Sequence, residues 1–350
     1  MRRLFLACTF LATSLFCAVP GSTPEALGLE SAQSAVVVSA RPVNFSTDDR
    51  GSRYGKLEWR GGLQLSSTDP RFGGFSAMTV SADGQKLLAV SDDGWWLRLA
   101  VRYDEAGRLA GVGDGEMAAI LDANGQPYDR KGKRDAEALT ALSPAGPDGP
   151  VAVGFENRVR IERYNIGKNG LAARPEPLFP SLPERLRKGP GNQELEALAW
   201  IPSGGLKGRL LAISENNLDS RGNIRAWVLG GAKPISLSFE KNDTFRITDV
   251  TILPSGDIVT VERDFSRSDR RLRMGIRRFP MAAVKEGATL RGEVLLIADW
   301  PRDTIDNMEA IASYRAKDGE ERLLIMSDDN YNGFLQRTLL LQFALPGKAQ

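Results

Sequence analysis

Paired carboxylates recur along this chain at a near-constant spacing, and they are its best candidates for chemistry. Glu137 stands 19 residues before Glu156, Glu196 stands 19 before Glu215, and Glu309 stands 19 before Asp328. Asp249 and Glu262 form a fourth pair at a spacing of 13, and Ser76 precedes Asp92 and Asp93 where a fifth would fall. Carboxylates held close together repel unless they are protonated, hydrogen-bonded or bound to a cation. The chain has no histidine. That removes Ser-His-Asp and Cys-His catalysis, phosphohistidine intermediates and the usual zinc and iron sites. An all-oxygen donor set suits Ca²⁺ or Mg²⁺.

The elements that must position these acids are short strands in a long repeat. Each inner residue sits in a similar frame: Phe75-Ser76-Ala77-Met78, Ala136-Glu137-Ala138-Leu139, Leu195-Glu196-Ala197-Leu198, Thr248-Asp249-Val250-Thr251 and Met308-Glu309-Ala310-Ile311. The anchors fall at 76, 137, 196, 249 and 309, a period of 53 to 61 residues. Such a period is too long for a helical solenoid and suits a four-stranded propeller blade. Turn dipeptides inside the units, such as Asp83-Gly84, Asp148-Gly149 and Asp318-Gly319, make the first two strands of each a hairpin. The reading is therefore all-β, one β-propeller of four-stranded blades, with five blades expected and a sixth left open. The last unit lacks a fourth strand before the chain ends. Gly55 to Leu65 can supply it from the other end of the domain and close the ring. Only Leu182 to Lys188 reads as helical.

In a propeller the first strand lines the channel and the second runs antiparallel beside it. The start of one and the end of the other then lie at the same mouth. The expected metal ligands are Glu137, Glu196, Asp249 and Glu309, backed by Glu156, Glu215, Glu262 and Asp328. The loop Arg130-Lys131-Gly132-Lys133-Arg134-Asp135 runs into Glu137, so its charges are expected near that mouth, where Arg134 joins Arg263 as a candidate to neutralise developing charge. The opposing reading is structural: each acid accepts backbone N–H groups or pairs with Arg134, Arg158, Arg263 or Arg337. In Arg271 to Arg277, alternation predicts an outer strand with its arginines in water. Of Trp95 and Trp96, one is expected in the core and the other at the mouth.

Met1-Arg2-Arg3, the apolar run Leu4 to Val19 and Pro20-Gly21-Ser22 read as an export signal over about residues 1–20, cleaved between Ala18 and Thr23. Residues 21–40 read as a flexible tether and 41–347 as the propeller domain. Cleavage would remove both cysteines, Cys8 and Cys17, and leave 44 basic against 44 acidic residues. That balance gives no support for nucleic-acid binding, and no membrane span is expected after cleavage. The expected location is periplasmic or secreted.

The run Phe72-Gly73-Gly74-Phe75-Ser76, with Ser91-Asp92-Asp93-Gly94, Asp135-Ala136-Glu137-Ala138-Leu139, Asn192-Gln193-Glu194-Leu195-Glu196, Asn307-Met308-Glu309-Ala310-Ile311 and Ser327-Asp328-Asp329-Asn330, resembles the phytase-like family of exported bacterial propellers ("esterase-like activity of phytase"). The resemblance spans about Tyr54 to Phe343 and implies phosphomonoester or ester hydrolysis on a small anionic or ester substrate. Without histidine, such hydrolysis would be metal-assisted, with Ca²⁺ the expected cofactor and Glu137, Glu196, Glu309, Arg134 and Arg263 the expected catalytic residues. The alternative is a non-catalytic propeller that binds a ligand or envelope partner, its acids locking the blades.

Overall fold

Apolar runs such as Leu87-Leu88-Ala89-Val90 and Leu323-Leu324-Ile325-Met326 are buried on both faces, as inner strands wedged between neighbouring sheets must be. The computed structural model describes residues 33–48, 51–179, 181–189 and 195–346. The export signal, its cleavage site and both cysteines lie outside the described residues. Five sheets are arranged as a five-bladed β-propeller.

The first blade runs Phe75–Val80, Lys86–Ser91, Trp95–Tyr103 and Leu109–Ala119 from the channel outward. The second comprises Ala136–Ala141, Pro150–Phe155, Arg160–Asn165 and the short edge Pro175–Pro177. Leu195–Trp200, Leu210–Leu218, Ile224–Leu229 and Ile235–Phe239 form the third. Arg246–Ile252, Ile258–Ser266, Arg271–Phe279 and Glu293–Asp299 form the fourth. The fifth begins Asn307–Arg315, Glu321–Asp328, Thr338–Ala344 and takes its fourth strand, Leu57–Ser66, from the start of the domain. That antiparallel pairing (Leu340 opposite Leu63) closes the ring and removes the open edge. Within the span read as a tether, the described residues are paired: Ser34–Val36 edges the first blade, and Ser39–Pro42 edges the fifth. Among the described residues no helix is long and apolar enough to cross a membrane. The helical segment read at 182–188 is a single turn, Glu184–Arg187.

Five apolar clusters fill the five blade interfaces. Leu63, Phe75, Met78 and Leu340 join the fifth blade to the first. Leu88, Trp96, Leu139 and Tyr164 join first to second, and Leu198, Ala152 and Trp227 join second to third. Ile213, Ile247 and Phe279 link third to fourth, while Ile276, Ile311 and Phe343 link fourth to fifth. Trp96 is fully buried, and Trp95 is buried beside the Arg71 guanidinium, so neither reaches the mouth. The strand Arg271–Phe279 also differs from expectation. It pairs on both sides, and Arg277 is buried, donating to Glu262 (2.6 Å) and to the Glu240 carbonyl (2.9 Å).

One local device repeats in every blade. The first strand carries a one-residue β-bulge near its start, leaving a single residue unpaired: Ser76 between Phe75 and Ala77, then Glu137, Glu196, Thr248 and Glu309. A bulge bends its strand and re-aims the extra side chain. In every blade but the fourth it turns that residue toward the channel mouth.

Candidate functional site

The bulge residues and the ends of the second strands meet around one cavity of about 850 Å³. Ser76, Glu137, Glu196 and Glu309 line it from the bulges, and Asp92, Glu156, Glu215, Arg263 and Asp328 from the second strands. Glu137, Glu196 and Glu309 thus come together with Glu156, Glu215 and Asp328, as their spacing predicts.

The fourth blade departs from the expected pattern by one residue. Its bulge falls at Thr248, not Asp249, because Ile247 pairs with Glu262 and Asp249 with Val261. A one-residue change of register sends a side chain to the opposite face. Asp249 is therefore buried away from the cavity, accepting the amides of Val250 (2.7 Å) and Ile311 (2.8 Å) and so tying the fourth blade to the fifth. Glu262 turns into its own blade, bonded to Thr260 (2.9 Å) and Arg277 (2.6 Å). Neither can serve as a ligand at the mouth. The bulge residue is Thr248, which is buried and donates to the Met308 carbonyl (2.9 Å), so the fourth blade reaches the acids at the mouth through Arg263.

Among the described residues, Arg263 is the one cation that lines the cavity from the second-strand ends. It pairs with Glu309 at 2.7 Å and also contacts Asn307. Burial disfavours its charge, but Glu309, Glu196, Glu215 and Asp328 outweigh that, and its pKa is raised. The expected role for Arg134 does not fit its placement. Its guanidinium is spent on Asp93 (2.9 and 2.5 Å) and it does not line the cavity. Lys131, which shares the single-turn helix Lys131–Arg134 with it, is the basic group that reaches the acids, touching Asp92 and pairing with Asp135 at 2.9 Å.

Burial pushes Glu137 well above the usual carboxylate range, reinforced by Asp135, Asp92, Glu156 and Glu309. Glu196 is raised likewise, by burial and then by Glu215, Glu137 and Glu309. For Glu309, burial again dominates, and Arg263 offsets part of the rise. Asp328 is pushed up to about 7, chiefly by burial and despite the amide of Asn330. Burial also raises Asp92, against the pull of Lys131.

The tightest group is Asp135, Glu137 and Glu156, whose carboxylate oxygens lie within 4.8 Å of one another. This oxygen-only donor set fits a hard divalent cation. Asp135 was not among the expected ligands. It precedes the strand rather than lying in the repeated frame, and only its adjacency to Ala136-Glu137 in sequence pointed to it. The Asn157 amide contacts its other oxygen.

No curated protein matches this sequence. Among solved structures, similarity is found to U3-55K, with 10% identity over 79% of this chain and 96% of that one, at a TM-score of 0.39. It is also found to an endo-arabinase from Bacteroides thetaiotaomicron, with 12% identity, 80% and 96% coverage and a TM-score of 0.47. Residues 70–331 match the phytase-like family described as "esterase-like activity of phytase", and the chain belongs to that family.

Proposed function

We propose that this protein is an exported, cation-dependent hydrolase of phosphate or carboxylic esters, working at the channel mouth. The observation that carries this reading is a lining of eight carboxylates in which the second-strand ends supply one guanidinium. Lys131, Arg246, Arg337 and Arg263 pair with Asp92, Glu215, Asp306 and Glu309, and the acids beyond those pairs, Glu137 and Glu196 among them, are costly to bury together without further positive charge. A divalent cation held by Asp135, Glu137 and Glu156 would supply electrophilic polarisation of an ester oxygen and offset the charge around it.

The chain's own groups supply the remaining parts. Glu196, whose pKa is raised by burial and then by Glu215 and Glu137, is assigned to hold a proton for the leaving oxygen. Arg263 stays charged and donates hydrogen bonds toward negative charge developing above Glu309. For a phosphomonoester, the oxygen of water bonds to phosphorus as the phosphorus–oxygen bond to the alcohol breaks. The water's proton passes to an ionised ring carboxylate and the Glu196 proton to the alcohol, giving alcohol and inorganic phosphate.

The experiment is hydrolysis of model phosphate and acyl esters by the purified domain, in chelator and with added Ca²⁺ or Mg²⁺. The expected result is turnover that needs the cation and falls about 10²-fold or more in Glu196→Gln. Turnover unaffected by chelator would overturn the cation's role, and unchanged turnover in the variant would remove Glu196 from the mechanism. The structural reading of the acids holds for Asp249 and Glu262, whose partners are all within the fold.

A further inference from the structure

Scattered exposed apolar side chains are ordinary on a protein surface, whereas several converging on one cavity are not. Phe265 is 60% exposed, Trp300 50% and Leu335 73%, and all three line the cavity that holds the carboxylates. They come from three separate places: the end of the fourth blade's second strand, the turn after its last strand, and the hairpin loop of the fifth blade. None of them fills a core. Beside them, Arg267 and Arg270 project from the turn after Ser266 and form no ion pair among the described residues. The other two arginines of the cavity are engaged, Arg263 by Glu309 and Arg271 by Asp264.

The cavity is therefore polarised. Its floor is acidic and built by every blade except the fourth, while its fourth- and fifth-blade wall is apolar and basic. Two unengaged guanidinia against eight carboxylates can compensate one or two negative charges on a ligand, not a polyanion. The volume of about 850 Å³ lies in the upper part of the range for small-molecule sites, roughly 300–1,000 Å³, and leaves space for a ring beyond an anionic head.

We infer that the cavity selects singly anionic-headed esters whose alcohol portion is aromatic or similarly apolar, with Phe265, Trp300 and Leu335 receiving that portion and Arg267 and Arg270 drawing in the head. This rests on the hydrolase reading for its chemistry but not for its binding preference. A polyol carrying several phosphates is a poor fit to the same wall.

Binding and turnover test the two separately. Binding uses 1-naphthylmethylphosphonate and methylphosphonate, neither of which has a phosphoester bond to hydrolyse, titrated with Ca²⁺ present and followed by calorimetry. The aryl ligand should bind about tenfold tighter or better, and Phe265→Ala or Trp300→Ala should cut that ratio about fivefold. Arg267→Gln with Arg270→Gln should weaken both ligands by the same factor. All of these side chains are at least half exposed or on the exposed turn, and unchanged melting of the variants verifies folding. Equal affinity of the two phosphonates, or an aryl preference intact in both rim variants, overturns the inference. Turnover is read as the ratio of kcat/KM for 1-naphthyl phosphate over glycerol 2-phosphate, expected to fall in the rim variants. Aryl preference in binding with no turnover of any ester defeats the hydrolase reading and leaves the ligand class standing.

Discussion

Asp328→Asn isolates the electrostatic cost of the acidic mouth in one substitution. Asp328 is buried at the cavity wall, and its Oδ1 accepts the Asn330 amide at 2.6 Å, a bond that asparagine can keep. Its pKa is pushed from 3.8 to about 7, by burial first and then by Glu309, Asp92 and Asp329. A carboxyl with a raised folded-state pKa contributes stability that is fully present below the unfolded value and lost as pH rises through the folded one. A rise of roughly 3 units makes that loss about 4 kcal/mol, with none of it incurred below about pH 4 and nearly all of it by about pH 8. With an unfolding entropy of about 2.1 cal/mol/K per residue over roughly 300 residues, that is about 6 °C in Tm. The assay is thermal unfolding in chelator from pH 4 to pH 8.5. Asp328→Asn should match wild type within about 1 °C at pH 4 and melt about 6 °C higher at pH 8. Parallel Tm curves for the two proteins across that window would refute the reasoning, because the mouth would then carry no ionisation penalty at Asp328.

Four further substitutions separate the acids that hold the fold from those that form the site. Arg277→Met strands Glu262 in the interior and should cost about 3–5 kcal/mol in denaturant unfolding, while adding Glu262→Leu should restore at least half, since a matched apolar pair leaves no buried charge. Asp249→Asn loses one of two backbone acceptors and should destabilise by about 1–3 kcal/mol with calorimetric Ca²⁺ affinity unchanged, whereas Asp135→Asn should lower that affinity at least tenfold.

The sequence by itself determined the repeat, favoured five blades and pointed to the closure. Alternating strands and recurring turn dipeptides are local signals, and a fourth strand missing at one end with a spare strand at the other leaves one way to close a ring. The convergence of Glu137, Glu196 and Glu309 was legible for the same reason, because strand direction fixes which ends of a hairpin share a mouth. What the sequence left undecided was the fourth blade. Thr248-Asp249-Val250 and Leu195-Glu196-Ala197 look alike as strings, yet one acid faces the fold and the other the cavity. The shorter hairpin, with 13 residues between Asp249 and Glu262 instead of 19, was the only local hint. Where a bulge falls depends on which residue leaves the ladder as the blades pack, and that balance involves Ile311 and Met308 of the next blade. The rim of Phe265, Trp300 and Leu335 was equally invisible, being assembled from one strand end and two loops separated in sequence. Local pattern sets which side chains can reach the mouth, and only packing between blades decides which of them do.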